Sequence, residues 1–200
     1  MRKLLLLIVS VLLISTSLNA VTYNSDPKIF ITELLNDAIT ALSDKSISKE
    51  KKAEVIRKIA VENVDIKALG MYTLGETRKT LDPEVLKNYN DLFQEYFLKS
   101  LTSRLNDYST NKFEILDSEQ KSAIYTIVKS KIIESSAQPE MKINWRVYTK
   151  VPTKPLIRDL IVEGLSLART QKQEFASILN SNNNDIKILF QKLEEFISKK

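Results

Sequence analysis

Apolar residues recur with the period of an α-helix along much of the first hundred positions of this 200-residue chain. The first such stretch follows Asp26-Pro27, an N-cap with proline at the first helical position, and it continues to Leu42. A second stretch has Ile56 on its apolar face, and a break at residues 63–65 separates it from a short third stretch. The pattern therefore predicts two full helices and a short third one.

The fourth predicted helix is the longest, running from Asp82-Pro83 to about Asp107. Its apolar face is unusually aromatic, with Leu86, Tyr89, Phe93, Tyr96, Phe97 and Leu101 at helical spacing. Aromatic rings bury large areas and leave irregular gaps that a flexible apolar ligand can fill, but an ordinary packed core is the more common use of such a face. The pattern alone leaves both interpretations open.

The period changes to that of β-strands between residues 112 and 162. Four strands are predicted, at residues 112–116, 123–134, 141–149 and 156–162. The third strand alternates most clearly, with Ile143, Trp145 and Val147 on one side and Lys142, Asn144 and Arg146 on the other. One-sided alternation of this kind is typical of an antiparallel sheet with one face on a core.

Two further helices are predicted after the strands, one at about residues 165–179 and one that begins after Asp185. The chain thus reads as helices, then strands, then helices, without an internal repeat. Segregated elements of this kind predict an α+β fold in which a helical layer packs on one face of a four-stranded antiparallel sheet.

The N-terminal segment has the layout of a secretory signal peptide. A positive start at Arg2-Lys3 precedes an apolar run at residues 4–14, and a stretch of small and polar residues leads to a predicted cleavage site after Ala20. The apolar run has 11 residues, fewer than the roughly 17–25 that a membrane-spanning helix needs. An uncleaved anchor is the alternative interpretation. We expect a signal peptide at residues 1–20 and one exported domain at residues 21–200.

The residue types exclude several kinds of active site. The chain contains no cysteine and no histidine, which removes thiol nucleophiles, Cys/His zinc sites and every triad that uses imidazole. We predict no metal and no cofactor. Cleavage would remove Arg2 and Lys3, leave 28 basic against 25 acidic residues and lower the formal net charge from +5 to +3, which is too mild to argue for nucleic acid as a partner. The run Lys49-Glu50-Lys51-Lys52 mixes signs and is typical of a solvated helix start rather than a membrane-binding patch.

Three segments point to a known family. Residues 64–75 read VDIKALGMYTLG, residues 93–97 read FQEYF, and residues 158–167 read RDLIVEGLSL. In this order they resemble the MlaC family, also called the toluene-tolerance family, of periplasmic phospholipid-binding proteins. The last segment is the most specific, because it matches a family signature that ends a strand and starts a helix. The resemblance extends over about residues 26–197.

Some family features are missing from this chain. The family usually has an aromatic residue shortly after the glycine of its Leu-Gly step, where this chain has Thr77 and Arg78. It also usually has a tryptophan before the last strand and a tyrosine just before the motif aspartate, where Pro155 and Arg158 stand here. These differences concern the lining of the pocket and the docking surface.

The resemblance implies a lipid carrier. Members of the family hold the acyl tails of a glycerophospholipid between a helical layer and a curved sheet, without a cofactor. They work between an outer-membrane lipoprotein complex and an inner-membrane ABC transporter complex with an MCE domain. We accordingly expect a soluble periplasmic protein with an apolar lipid cavity and no enzymatic activity. The residues predicted to line the cavity are Tyr72, Leu74, Phe93, Phe97, Leu101, Ile143, Trp145, Val147 and Leu165.

Two other classes of function stay open from the sequence. Asp159 and Glu163 could form the carboxylate pair of a hydrolase, but on a strand residues four apart are separated by about 13 Å, too far for a general acid–base couple. We expect instead that Asp159 hydrogen-bonds nearby backbone and that Glu163 helps to cap the following helix. An adaptor whose aromatic helix packs on a partner protein is the remaining possibility.

Overall fold

The computed structural model describes residues 23–103, 112–134 and 139–199. The predicted signal peptide and the predicted end of the fourth helix near Asp107 lie outside these ranges. The helices of the described part are α1 (Pro27–Ser43), α2 (Lys49–Asn63), α3 (Ile66–Thr73), α4 (Pro83–Ser103), α5 (Leu167–Asn180) and α6 (Ile186–Ser198), with a 3-10 turn at Gly75–Lys79 between α3 and α4.

Short polar side chains define where most of the helices begin. The carboxylate of Asp26 accepts hydrogen bonds from the backbone N–H groups of Lys28 and Ile29 at the start of α1, as the sequence predicts. Other N-cap residues do the same for α2, α3, α5 and α6, namely Ser48, Asp65, Ser166 and Asp185.

Five strands form one antiparallel sheet and follow one another in chain order. They are β1 (Phe113–Ser122), β2 (Tyr125–Ile132), β3 (Met141–Tyr148), β4 (Leu156–Val162) and β5 (Leu165–Ser166). A two-residue turn joins β4 to β5, and its residues Glu163 and Gly164 have φ angles of 48° and 82°. Positive φ at both central residues is what a type I′ hairpin turn requires.

The α+β class and the antiparallel sheet are confirmed, with two corrections to the strands. The sheet has five strands rather than four, because the two-residue β5 is too short to leave a periodic pattern. β1 continues to Ser122 instead of ending at Leu116, since register shifts at Ile115/Asp117 and Gln120/Ser122 interrupt its alternation.

One face of the sheet packs against α1 and forms a first core, which we call the sheet core. Phe30 of α1 belongs to the same buried cluster as Ile143, Trp145 and Val147 of β3, and all four are at most 8% exposed. The indole N–H of Trp145 donates to the Ser130 hydroxyl at 2.9 Å. The buried polar edge of the tryptophan is therefore satisfied within this core.

A second core, the helical core, is made by α3, α4, α5 and α6. The aromatic face of α4 lies here, where Phe93 stacks on Tyr89 and Phe97 and meets Phe175 of α5 edge-on. Gly70 of α3 lies against the same ring, because a Cβ atom at this position would be 2.8 Å from Cδ1 of Phe93. The close approach of α3 to α4 thus depends on the missing side chain.

The junction between α2 and α3 connects the two cores. Val64 packs against both of them and forms a single parallel bridge with Ile157 of β4. The backbone N–H of Asp65 donates to the carbonyl oxygen of Ile157 at 2.9 Å. These contacts place the start of α3 beside the sheet.

Candidate functional site

A cavity of about 710 Å³ lies between α3 and the face of the sheet that α1 does not cover. This volume is within the roughly 300–1,000 Å³ of typical small-molecule sites. The apolar lining consists of Ala68, Leu69 and Tyr72 of α3, Ala168 of α5, and Tyr125, Ile127 and Ile161 of the sheet. The polar lining comes from the sheet alone, namely Glu119, Lys121, Ser122, Lys129, Asn144, Arg146 and Arg158. The cavity therefore has an apolar helical wall and a floor that mixes charged, polar and apolar side chains.

Strand register explains how the charged side chains gather on this floor. Successive side chains of a strand point to opposite faces of a sheet, so the neighbours of the buried Trp145 point away from α1. In the pairing of β2 with β3, Ile127 lies opposite Arg146 and Lys129 lies opposite Asn144. The polar half of the alternation in β3 thus forms part of the cavity floor.

Arg158 connects the cavity floor to the start of α3. Its Nε donates to Asp65 Oδ2 at 2.8 Å, and its Nη2 lies 2.7 Å from the same oxygen. Its Nη1 donates to the Tyr125 hydroxyl at 3.0 Å, and its guanidinium carbon lies 3.4 Å from the centre of the Tyr148 ring. Partial burial alone would lower the pKa of Arg158, but hydrogen bonds to Tyr125 and Asp65 raise it above its ordinary value. Arg158 is therefore a fixed cation whose donors are largely used within the protein.

Asp159 is a buried carboxylate next to the lining residues Arg146 and Ala168, with 3% of its surface exposed. It accepts hydrogen bonds from the Ser166 hydroxyl at 2.6 Å and from the backbone N–H of Ala168 at 3.0 Å. Nη1 of Arg146 lies 3.6 Å from Asp159 Oδ2, which is beyond hydrogen-bond distance but close enough to offset its charge. Asp159 thus bonds nearby backbone, as the sequence predicts, and holds the start of α5.

Glu163 does not cap α5, so that prediction is wrong. Its carboxylate accepts a hydrogen bond from the backbone N–H of Lys142 on β3. The cap is the Ser166 hydroxyl, which accepts from the backbone N–H of Arg169 at 3.0 Å. The reason is the turn at Glu163 and Gly164, which inserts β5 between this glutamate and the helix. Asp159 and Glu163 therefore make separate hydrogen bonds to different elements.

The residues predicted to line a lipid site on the helices are divided between two places. Tyr72 lies at the cavity and is 42% exposed. Leu74 and Phe93 are buried in the helical core, and Phe97 and Leu101 pack against that core. The aromatic face of α4 thus meets other helices rather than the sheet, and its contact with lipid stays a prediction.

The predicted residues of the sheet lie away from the cavity. Ile143, Trp145 and Val147 are buried in the sheet core on the α1 side. Leu165 is 69% exposed, and its pairing with Val162 puts it on the α1 face of the sheet. The structure thus separates the α4 face from the β3 face instead of bringing them together.

Sequence reasoning did not select the residues that form the cavity floor. The missed side chains include Ile127, Lys129, Arg146, Arg158 and Ile161. One signal was available, namely basic residues that alternate with buried ones along β2, β3 and β4. The same pattern is typical of a solvent-exposed sheet face, which is why it did not stand out.

The described residues offer neither a membrane span nor a metal site. No helix within residues 23–103, 112–134 and 139–199 is long and apolar enough to cross a membrane. Within the same ranges, no three Asp or Glu side chains gather as they would to hold a metal ion.

Comparisons with known proteins give one family and one shared fold. The family model described as MlaC protein matches residues 32–195. No curated protein matches the chain. A solved structure from Ralstonia solanacearum, described as a phospholipid-binding protein in complex with a phospholipid, has a TM-score of 0.72 and 17% sequence identity. The match covers 88% of this chain and 97% of that one, and at this identity it shows a shared fold.

Proposed function

The chain belongs to the MlaC family, and on this premise we propose that it binds a glycerophospholipid in the cavity between α3 and the sheet. The observation that carries the proposal is the amphipathic lining of this cavity. Leu69, Ile127 and Ile161 provide apolar surface for acyl tails, while Arg146 and Lys129 provide cations for a phosphate. The phospholipid in the structure from Ralstonia solanacearum, which has the same fold, supports the proposal.

The energetics favour a binding site over a catalytic one. Burying one methylene group is worth roughly 0.8 kcal/mol, so that a tail of about fourteen carbons gains on the order of 10 kcal/mol when it leaves water. A protein can supply this stabilisation with apolar surface alone and without a reactive group. The absence of cysteine and histidine from the sequence is consistent with such a role. We therefore assign no catalytic residue.

The second part of the proposal is that the protein acts as a lipid carrier. After export and cleavage behind Ala20, the protein would move phospholipid through the periplasm. It would exchange lipid with an outer-membrane lipoprotein complex and with an inner-membrane ABC transporter complex that contains an MCE domain. The signal-peptide pattern and the family support this role. Intact-mass measurement of the periplasmic fraction should find a chain that begins at or near Val21, whereas a membrane-bound chain that retains Met1 would contradict it.

Lipid binding is tested by purifying the protein without detergent and analysing an organic extract by mass spectrometry. The expected result is intact glycerophospholipid in a fixed ratio to protein. A preparation unfolded in urea, washed and refolded is the control, and it should take up added phospholipid again. If the native protein carries no lipid and the refolded protein takes up none, the proposed function is wrong. Recovery of lysophospholipid above the control would instead indicate a hydrolase.

A further inference from the structure

We infer that the cavity selects phospholipids with a net negative head group and that Arg146 is the residue that determines this specificity. The inference rests on the proposed function and names the class of lipid that the same site takes. Its basis is the difference between the cations of the cavity that protein groups already bind and those that keep hydrogen-bond donors for a ligand.

Arg146 and Arg158 both line the cavity, but their donors are used differently. Arg158 donates its hydrogen bonds to Asp65 and Tyr125. Among the described residues, Arg146 has one carboxylate within ion-pair distance, that of Asp159 at 3.6 Å, and the oxygens of that carboxylate already accept from Ser166 and Ala168. The side chain of Arg146 is 42% exposed, so that its planar guanidinium retains donors for a ligand in the cavity. Arginine presents these donors in a fork that matches a phosphate.

Lys129 can reach the same phosphate from the neighbouring strand. It lies opposite Asn144, two residues from Arg146 along β3. Such diagonal pairs on one face of a sheet are about 7–8 Å apart at the backbone, within reach of two long side chains. Lys129 is 3.4 Å from Glu119, and this carboxylate also pairs with Lys121. One glutamate is therefore shared between two lysines.

The charges around the cavity leave one cation in excess. The charged side chains of the lining and their ion-pair partners are the cations Lys121, Lys129, Arg146 and Arg158 and the anions Glu119, Asp65 and Asp159. A phosphodiester with an uncharged alcohol, as in phosphatidylglycerol, carries one negative charge and neutralises the excess. A zwitterionic head group, as in phosphatidylethanolamine, brings an ammonium into the same positive field. The site should therefore prefer the anionic lipid.

The test compares two lipids with identical tails. Delipidated protein is titrated calorimetrically with dioctanoyl-phosphatidylglycerol and with dioctanoyl-phosphatidylethanolamine, both below their critical micelle concentrations. We expect the anionic lipid to bind about tenfold more tightly, which is the size of one partly screened charge interaction. Raising the salt concentration should reduce this preference, because the cations of the floor are partly exposed.

Arg146→Gln should remove most of the preference by weakening the anionic lipid about tenfold and the zwitterionic lipid less. Lys142→Gln is the matched control, because Lys142 lies on the same strand and face but outside the cavity, and it should keep the preference. If Arg146→Gln does not fold by circular dichroism, Lys129→Gln is measured in its place and should also lower the preference.

The outcomes separate this inference from the proposed function. Equal affinity for the two lipids, or a preference that survives Arg146→Gln and Lys129→Gln, overturns the inference and leaves lipid binding intact. Failure of both lipids to bind overturns the proposed function itself. Inorganic phosphate is the third ligand, and it should bind far more weakly than either lipid. Phosphate binding as tight as that of the anionic lipid would show a simple anion site and overturn both.

Discussion

Ile157 and Ile161 lie on the same strand, yet a register shift in the pairing of β4 with β3 puts them on opposite faces of the sheet. Ile157 is 5% exposed in the sheet core, whereas Ile161 lines the cavity. The same substitution, isoleucine to tryptophan, therefore tests the cavity at one position and the packed core at the other.

The two variants should fail in different ways. Tryptophan adds about six heavy atoms to isoleucine, and if about half of them displace lipid methylenes at roughly 0.8 kcal/mol each, Ile161→Trp loses about 2–3 kcal/mol of lipid binding. That is about 30- to 150-fold in affinity. Its free energy of unfolding without lipid should change by less than about 1 kcal/mol, since the ring enters open space. Ile157→Trp overpacks a filled core and should destabilise the fold by at least about 1–3 kcal/mol.

The assay has two readouts for each variant. Urea unfolding of the delipidated protein, followed by circular dichroism, gives the free energy of unfolding. Mass spectrometry of extracts from detergent-free preparations gives the ratio of phospholipid to protein. The reasoning is refuted if Ile161→Trp folds normally and retains the full lipid content. It is also refuted if Ile161→Trp is destabilised as strongly as Ile157→Trp, because position 161 would then be packed core.

Three further predictions concern the packing around the site. Gly70→Ala should cost about 1–3 kcal/mol in urea unfolding, because the new Cβ meets the closely packed ring of Phe93 at 2.8 Å, and unchanged stability would contradict this contact. Burial raises the pKa of Tyr89, so that the stability it contributes is present below the ordinary tyrosine value of about 10 and is lost as the pH rises above it. Tyr89→Phe should be about 1 kcal/mol less stable at pH 8, because it lacks the hydrogen bond to Thr73. In urea titrations its free energy of unfolding should fall less than that of the wild type between about pH 8 and pH 11. Equal falls in the two proteins would refute a raised pKa of Tyr89. Asp159→Ala should cost about 2–4 kcal/mol by leaving the N–H of Ala168 without its acceptor, and a smaller loss for Asp159→Asn would agree with that cause.

The fold was predictable wherever local chemistry and periodicity agree. Asp26-Pro27 marks the start of α1, and the alternation around Trp145 marks β3 and its buried face. The elements that were not predicted are those that lack a regular hydrophobic periodicity. β5 has two residues and exists because of the turn at Glu163 and Gly164, while the second half of β1 is interrupted by register shifts.

The partners of the two apolar faces were not predictable in the same way. The spacing of Phe93 and Phe97 identifies an apolar helix face, and that of Ile143 and Val147 an apolar strand face, but spacing does not say which face meets which. The structure pairs the first with α5 and α6 and the second with α1. Long-range packing decides this, and only Tyr72 of the predicted lining residues reaches the cavity.

The position of α3 turns an ordinary polar sheet face into a cavity. Arg146 and Lys129 alternate with buried residues as they would on any solvent-exposed face. They line a cavity because α3 is held over them, by the bridge from Val64 to Ile157 and by the ion pair of Asp65 with Arg158. An amphipathic ligand needs both kinds of surface at once, and α3 adds an apolar wall to the mixed surface of the sheet. The site therefore depends on a contact between Asp65 and Arg158, which are 93 residues apart in the chain. No local pattern of hydrophobic and polar positions predicts a contact of this range.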